Sequence, residues 1–207
     1  MALRTQDGIP IGNQVDKARL VNPISRALVA GFDRSLMELV RESAPRSIHE
    51  AGCGEGRVAR LLAETFGVAV RATDFSRDLI DQNRSTAPAG VEFLCRSIYE
   101  VRPPDDAADV VVCCEVLEQL EQPRRALAAL RPLGAQRYVF SVPREPLWRA
   151  FNVARGKYLH ALGNTPGHLN HWSGAGFVAL LAGAGFRTIQ VRSPLPLTMC
   201  LCELARS

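Results

Sequence analysis

The sequence lacks several features that mark membrane and nucleic-acid-binding proteins. No apolar run reaches the 18 residues of a membrane-spanning helix, and the first residues lack the apolar core of a signal peptide. No block of five like charges occurs, and only Lys17 and Lys157 are lysines among the 25 basic residues. We therefore expect no stable membrane insertion, no basic tail for nucleic acid and a cytoplasmic location.

Patterns for disulfides and zinc are also missing. The six cysteines contain no C-x-x-C pair, and no histidine pair lies beside them in the sequence. Zinc is therefore not expected, and we interpret the cysteines as small apolar residues of a reduced protein. With 207 residues, of which 47% are hydrophobic and 22% charged, the composition is that of one soluble globular domain over 1–207.

A glycine turn is the most informative feature that is present. Gly52, Gly54 and Gly56 are spaced two apart, between a segment of strand character and one of helical spacing. This arrangement lets the backbone approach a nucleotide-like ligand without a Cβ in the way. The dinucleotide fingerprint needs its last glycine three residues on, to seat a pyrophosphate. Here Glu50 precedes the glycines, which favours a ligand that carries an ammonium group.

A second predicted strand, over 68–73, ends at Asp74. An acid about 20 residues beyond the glycine turn, at the carboxyl end of a strand, is placed to accept hydrogen bonds from both ribose hydroxyls. Phe75 beside it is placed to lie on an adenine face. The alternative is that Asp74 only caps a helix predicted over 76–85.

Two further strands follow in the sequence. The third, over 91–95, leads to Ser97 and Ile98, where a hydroxyl and a backbone amide are placed to meet the edge of an adenine. The fourth, over 108–114, is a near-continuous apolar run, as expected of a central parallel strand. It leads directly into Glu115.

In order and spacing, these segments resemble the class I S-adenosylmethionine-dependent methyltransferases of the small-molecule type. The motifs are HEAGCGEG, ATDFS, CRSIYEV and DVVVCCEVLEQLEQPRRAL, and the resemblance covers 46–205. It implies S-adenosylmethionine as cofactor and S-adenosylhomocysteine as product. Around the methionine part of the cofactor it implies Glu50, Gly52, Gly54 and Gly56. Around the adenosine it implies Asp74, Phe75, Ser97 and Ile98, and beneath the sulfonium Cys114 and Glu115.

One position departs from this family. Relatives in ubiquinone biosynthesis and small-RNA 2′-O-methylation often read E-V-x-E-H here, and some hold a metal with these side chains. This chain has Gln119 in place of the histidine. Because a neutral amide is a poor metal ligand, we expect no metal at this site.

The alternation of strands and helices predicts an α/β fold. We expect a doubly wound, Rossmann-like sheet of seven mostly parallel strands with an antiparallel last strand. A helix begins at Asn22-Pro23, and the last helix, over 173–184, precedes strands over 186–192 and 197–203. Residues 1–22 are predicted to be a mobile lid over the cofactor.

Residues 143–172, after the fifth strand, are a predicted insertion on the substrate side, because the connection is long for a compact domain. Pro146 can begin a helix with one stripe of side chains: Trp148, Phe151, Arg155, Leu159 and Leu162. The simplest interpretation is a helix that covers the sheet edge.

Arg155 in the middle of this stripe allows a second interpretation. A guanidinium that points inward needs an anionic partner, either an internal acid such as Glu118 or a carboxylate or phosphate of the substrate. An anionic acceptor would then be oriented by Arg155 and, if a carboxylate, would need no base. A third interpretation is a surface helix that meets a membrane or a lipid-linked substrate, with Arg149 and Lys157 toward the headgroups.

Three of the four histidines, His160, His168 and His171, lie within twelve residues. In the family that the chain resembles, this stretch precedes the last helix and borders the acceptor pocket. Histidine is the usual group that takes a proton from an attacking hydroxyl or amine. His168 is our first choice for such a base and His171 the second. The alternative for either is a structural hydrogen bond in the loop.

The sequence therefore predicts methyl transfer to a small-molecule acceptor, at a hydroxyl or other heteroatom of a metabolite or natural-product intermediate. Alternatives are a lipid- or sugar-linked intermediate near a membrane, or RNA. Methylation of nucleic-acid bases is disfavoured, because Cys-Cys-Glu-Val stands where an N/D-P-P-Y-like turn is usual. A non-catalytic scaffold protein would have degenerate glycines or lack the acid at the ribose position, and this chain keeps both the glycines and the acid. An oxidoreductase would have the dinucleotide spacing G-x-G-x-x-G, which differs from the spacing here.

Overall fold

The computed structural model describes residues 5–6, 9–10, 23–156 and 158–205. Within the predicted lid only β1 (Thr5–Gln6) and β2 (Ile9–Pro10) are described, as a two-stranded antiparallel ribbon. The rest of the lid prediction lies outside the described residues.

The main sheet has the order β5-β4-β3-β6-β7-β9-β8. Its strands are β3 (Ser47–Ala51), β4 (Ala69–Asp74), β5 (Val91–Cys95), β6 (Val110–Cys114), β7 (Arg137–Pro143), β8 (Phe186–Arg192) and β9 (Leu197–Leu204). All neighbouring pairs are parallel except those of β9, which runs antiparallel to β7 and β8. The predicted fold class, including the antiparallel last strand, is confirmed.

Helices cover both faces of this sheet. They are α1 (Pro23–Glu42), α2 (Arg57–Phe66), α3 (Arg77–Ser85), α4 (Pro123–Leu130), α5 (Leu147–Ala154) and α6 (Gly174–Gly183). Single 3₁₀ turns lie at Leu117–Gln119, Arg131–Leu133 and Leu159–Ala161. None of the helices in the described part of the chain has the length and apolar character needed to cross a bilayer.

The core is divided into two clusters by the sheet. Along β6, Val111 and Cys113 face the cluster that includes residues of α4 and α6, whereas Val110 and Val112 face the one with residues of α1, α2 and α3. Because side chains alternate along a strand, a strand buried on both faces must be apolar throughout. This explains the continuous apolar run that the sequence shows here.

The cysteines mostly fill this core. Cys53, Cys113, Cys200 and Cys202 are buried, and all six cysteines are free thiols. Cys114 is partly buried, but Cys95 is exposed, so the prediction of small apolar core residues is wrong for this one.

The topology brings the sequence motifs together at the carboxyl ends of the parallel strands. The chain runs from β3 outward to β5 and then crosses back to β6, so the winding direction reverses between β3 and β6. Ligands of doubly wound sheets bind beyond the carboxyl ends of the strands at such a reversal. Asp74 is the last residue of β4, and the glycine turn, Ser97 and Glu115 follow the carboxyl ends of β3, β5 and β6.

Candidate active site

The glycine turn between β3 and α2 has left-handed backbone conformations. Its φ angles are +83° at Gly52, +51° at Gly54 and +70° at Gly56, a region that side-chain-bearing residues rarely adopt. The Gly52 amide donates to the carbonyl of Thr73 at 2.8 Å, which ties the turn to the end of β4. A Cβ built on Gly52 would lie 2.4 Å from Cγ2 of Val116. Glycine is therefore required at Gly52 by both conformation and space.

Asp74 lies beside this turn and is only 8% exposed. Its Oδ2 accepts from the Gly54 amide at 2.9 Å and its Oδ1 from the Ser76 amide at 2.9 Å. Burial raises the pKa of Asp74, and the backbone hydrogen bonds oppose this. Helix α3 is capped by the Ser76 hydroxyl, which accepts from the Leu79 amide at 3.4 Å. The cap is therefore a different residue, and each Asp74 oxygen keeps acceptor capacity.

Glu50, near the end of β3, is 3% exposed. Burial raises its pKa to about 8, although the positive charge of Arg57 opposes the shift. Its Oε2 has no hydrogen-bond partner among the described residues. A buried carboxylate oxygen without a partner is costly, so this site is suited to a ligand that brings a cation.

The residues predicted around an adenine follow β4 and β5. Phe75 and Ser97 are partly buried, and the Ser97 hydroxyl accepts from the Tyr99 amide at 3.3 Å. The side chain of Ile98 packs in the core cluster with α4 and α6 and is 8% exposed. Only the backbone of Ile98 is therefore placed to meet a ligand.

Cys114 and Glu115 mark the carboxyl end of β6. Burial raises the pKa of Cys114 to about 12, so the thiol stays protonated at neutral pH. Glu115 has a φ of +56°, an unusual value for a residue with a side chain. Its amide donates to the Ser141 carbonyl at 2.9 Å, and its carbonyl accepts from Nε2 of Gln119 at 2.8 Å. The turn after β6 is therefore fixed from both sides.

Gln119, which replaces the family histidine, thus has its amide nitrogen engaged with the backbone. No group of three or more His, Cys, Asp or Glu side chains within the described ranges is arranged to hold a metal ion.

The predicted helix stripe on the substrate side is wrong beyond Ala154. Helix α5 ends there, and Arg155 is exposed, with its guanidinium 5.1 Å from the ring centre of Phe151. Leu159 and Leu162 are 57% and 72% exposed. The hypothesis of an inward guanidinium is therefore a wrong one: Arg155 is hydrated and needs no buried anion.

Asn152 takes the interior position instead. It is 1% exposed, and its Nδ2 donates to the Gly163 carbonyl at 2.9 Å and to Oγ1 of Thr165 at 3.1 Å. The indole Nε1 of Trp148, one turn earlier, donates to the same Thr165 hydroxyl at 2.9 Å. These bonds fold the segment after α5 back onto the helix, and the left-handed Gly156 and Tyr158 break its periodicity.

Of the three clustered histidines, only His168 lies at the inner side of this segment. Its ring stacks on Trp148 with a centroid distance of 5.7 Å, and Nδ1 is buried with no partner in the described part of the chain. Burial lowers the pKa of His168 to about 4, and the negative charge of Glu115 opposes the shift. His171 is exposed and shares a hydrogen bond of 2.7 Å with Oδ1 of Asn164, and His160 is exposed.

The loop that carries His168 is fastened to the turn after β6. The amides of Leu169 and Asn170 donate to the Glu118 carbonyl at 2.8 and 3.0 Å. Nδ2 of Asn170 donates to the Leu120 carbonyl at 2.6 Å. The structure thereby holds His168 near enough to Glu115 for the carboxylate to act on its pKa.

Comparison with known proteins shows what this part of the chain is similar to. Residues 48–134 match a family model described as a methyltransferase domain. A ubiquinone biosynthesis O-methyltransferase of Coxiella burnetii is 24% identical to the chain over 152 residues. That match covers 66% of this chain, which spans 64% of the relative's length. Both matches make this part of the chain similar to methyltransferases.

Several solved structures share the fold of this chain. One is a methyltransferase from Aquifex aeolicus, with a TM-score of 0.69, 16% identity, and coverage of 93% of this chain and 100% of that chain. Another is the magnesium protoporphyrin IX methyltransferase of Synechocystis PCC 6803 with bound S-adenosylhomocysteine. Its TM-score is 0.67 at 18% identity, and the match covers 92% of this chain and 94% of that chain.

Several residues that hold the segment after α5 in place in the candidate site were not expected from the sequence. Asn152, Thr165 and Asn170 act through hydrogen bonds that join different elements. Asn152 alone leaves a sequence signal, because it lies one helical turn after Trp148 on the same face of α5. Thr165 and Asn170 stand in a loop, where residue periodicity carries no information.

The glycine turn gives a first testable prediction. We expect Gly52→Ala to destabilise the protein more than Gly54→Ala, measured as the free energy of unfolding in denaturant. Both variants place a side chain in a left-handed conformation, at about 1–2 kcal/mol each. Only Gly52→Ala also meets Val116, whereas nothing lies within 4 Å of a Cβ at Gly54. Overpacking adds about 1–3 kcal/mol.

A double variant separates the two contributions at Gly52. Val116→Ala in the Gly52→Ala background removes the clash but leaves the conformational strain, so it recovers part of the loss. Equal destabilisation by Gly52→Ala and Gly54→Ala would contradict the packing that we describe.

Proposed function

We propose that this protein is a class I S-adenosylmethionine-dependent methyltransferase, which binds S-adenosylmethionine at the carboxyl ends of β3 to β6 and transfers its methyl group to a small-molecule acceptor. The observation that carries the proposal is a pair of buried carboxylates on either side of the glycine turn. Within the described ranges Oε2 of Glu50 has no hydrogen-bond partner, and Asp74 is held by two backbone amides. The first suits the ammonium of an amino-acid tail, and the second suits the two hydroxyls of a ribose.

The remaining cofactor contacts follow from position. We assign the methionine part to Glu50, Gly52, Gly54 and Gly56. We assign the ribose to Asp74 and the adenine to Phe75, the Ser97 hydroxyl and the Ile98 backbone. Cys114 and Glu115 border the sulfonium, and because burial raises the pKa of Cys114 to about 12, its thiol is protonated and does not compete as a thiolate nucleophile.

The bound cofactor supplies an activated methyl group on a sulfonium. The protein's main contribution is then to place the acceptor in line, for which effective molarities of roughly 10⁵–10⁸ M are available. His168 is neutral at pH 7, so its imidazole is free to take a proton from an acceptor hydroxyl. The nearby charge of Glu115 lowers the cost of the imidazolium that forms.

The acceptor class rests on relatives and on the segment 143–172. The similar proteins named above are an O-methyltransferase of ubiquinone biosynthesis and a methyltransferase of magnesium protoporphyrin IX, and both names point to small molecules. We propose that 143–172 forms the acceptor side, with His168 as base and a hydroxyl or other heteroatom as the methylated group. Arg155 and His171 are exposed and are not proposed as catalytic residues.

Proton release on ligand binding tests this proposal. Because the pKa of Glu50 is raised to about 8, its carboxyl is mostly protonated at pH 7 in the free protein. An ammonium beside it favours the carboxylate, so binding of S-adenosylhomocysteine releases up to one proton. Affinity therefore rises with pH below about 8 and levels off above it. Calorimetry at pH 7 in buffers of different ionisation enthalpy measures the released proton directly.

Glu50→Gln is the matched control. It removes the titrating group, so its affinity is lower than that of the wild type and does not change between pH 6 and 8. The fold stability of the free protein should change with pH in the opposite direction to the affinity. The raised pKa of Glu50 stabilises the fold at low pH, and this contribution is lost as pH rises through about 8. A wild-type affinity that is flat over this range contradicts the proposed role of Glu50.

A further inference from the structure

Two side chains that we do not assign to cofactor binding donate hydrogen bonds to carbonyls of the glycine turn. Asn83 of α3 donates from Nδ2 to the Gly54 carbonyl at 2.8 Å. Arg60 of α2 donates from Nη1 to the Glu55 carbonyl at 2.9 Å and to Oδ1 of Asn83 at 3.2 Å. We call this arrangement the Arg60–Asn83 clamp. It joins the carbonyls of two consecutive turn residues to α2 and α3.

The clamp is itself rigid. Nη2 of Arg60 donates to the Asn83 carbonyl at 3.2 Å and to Oγ1 of Thr86 at 2.9 Å. The guanidinium lies 5.0 Å from the ring centre of Phe93, a cation–π distance. Asn83 is 3% exposed, so water does not replace its bonds. A planar guanidinium with this many fixed partners has one orientation, which a flexible ammonium would not have.

The Gly54 residue is thereby fixed at both ends. Its amide donates to Oδ2 of Asp74, and its carbonyl accepts from Asn83. Glycine loses more conformational freedom on ordering than any other residue, so an unclamped turn would have to be ordered when a ligand binds. A turn that is ordered beforehand binds more tightly, because this cost no longer opposes binding.

We propose that Arg60 and Asn83 are positioning residues for the cofactor site, which set the peptide planes of Gly54 and Glu55 before the cofactor binds. The inference rests on the proposed function and adds two residues that do not contact the cofactor themselves. It predicts a loss of cofactor affinity without a matching loss of fold stability. A purely structural role predicts that the two decrease together.

Asn83→Asp separates these roles. The carboxylate still accepts from Arg60, which keeps α2 and α3 joined, but it cannot donate to the Gly54 carbonyl. We expect its affinity for S-adenosylhomocysteine to fall at least about 5- to 10-fold, the range for one lost hydrogen bond, because a carboxylate oxygen then also faces the Gly54 carbonyl. The ion pair with Arg60 offsets part of the cost of the buried charge, so the melting temperature should fall less in Asn83→Asp than in Asn83→Ala. Asn83→Ala, which adds no charge, should lose at least as much affinity. Gln82→Ala is the matched control on the exposed side of α3 and should bind as the wild type.

Hydrogen exchange gives a readout that needs no ligand. In the free protein, the Gly54 amide should exchange faster in Asn83→Asp than in the wild type, while amides in the centre of β6 keep their protection. A wild type that binds no S-adenosylhomocysteine would overturn the proposed function, and the exchange comparison would still decide the clamp. Unchanged exchange at 52–57, or Asn83→Asp and Asn83→Ala affinities equal to the wild type, would overturn the clamp.

Discussion

Asp74→Ala is expected to lower the affinity for S-adenosylhomocysteine by at least about 100-fold. Two charge-assisted hydrogen bonds to a ribose diol are lost, at about 1.5–3 kcal/mol each. The Gly54 and Ser76 amides also lose their acceptor, so the turn is less well ordered. Isothermal titration calorimetry with S-adenosylhomocysteine measures the change.

Two further variants test whether a loss of affinity in Asp74→Ala comes from misfolding. Asp78→Ala removes an exposed carboxylate in the first turn of α3, four residues after Asp74, and should leave affinity unchanged. Asp74→Asn keeps an acceptor for one backbone amide but loses the charge, so it should fold as the wild type and still bind weakly. Wild-type affinity in Asp74→Ala would remove the ribose assignment.

His168→Ala is expected to lower turnover about 10²–10⁴-fold while the affinity for S-adenosylhomocysteine changes by no more than about threefold. The imidazole removes a proton from the acceptor and does not hold the cofactor. Since burial lowers the pKa of His168 to about 4, this residue should cause no change in rate between pH 6 and 8. Turnover is measured as transfer of labelled methyl from S-adenosylmethionine to hydroxyl-bearing metabolites.

The exposed His160 provides the control, and His160→Ala should keep full turnover. A large loss of cofactor affinity in His168→Ala, with turnover otherwise intact, would contradict the assignment of a base. A loss of turnover in His171→Ala that exceeds the loss in His168→Ala would transfer the role to the second histidine.

The cofactor edge could be predicted because its signals are local. The spacing of Gly52, Gly54 and Gly56 reports a left-handed turn, and the apolar run before Cys114 reports a strand buried on both faces. The distance along the chain from the turn to Asp74 corresponds to one helix and one strand. Parallel strands then bring these residues to the same edge of the sheet.

The acceptor side was less predictable, because long-range hydrogen bonds decide it. The periodicity through Arg155 and Leu162 predicted a longer helix than α5. Asn152 instead bonds to the loop that returns over α5, and the chain leaves the helical path at Gly156. A pattern read residue by residue cannot show that a side chain will bond to a carbonyl eleven residues later.

The Arg60–Asn83 clamp escapes sequence analysis for the same reason. Asn83 and Gly54 are 29 residues apart in the sequence. The helical periodicity of α3 places Asn83 on the buried face but does not show that its side chain bonds to the turn. Only the packed arrangement of α2, α3 and the turn shows that both carbonyls have fixed donors.

A calorimetric titration of the wild-type protein with S-adenosylhomocysteine, compared with NAD⁺ under the same conditions, tests the central claim most directly. The account predicts saturable one-to-one binding of S-adenosylhomocysteine and no binding of NAD⁺, because Glu50 and the glycine spacing suit an ammonium and not a pyrophosphate. Absence of binding by S-adenosylhomocysteine, or binding of NAD⁺ with equal affinity, would contradict it.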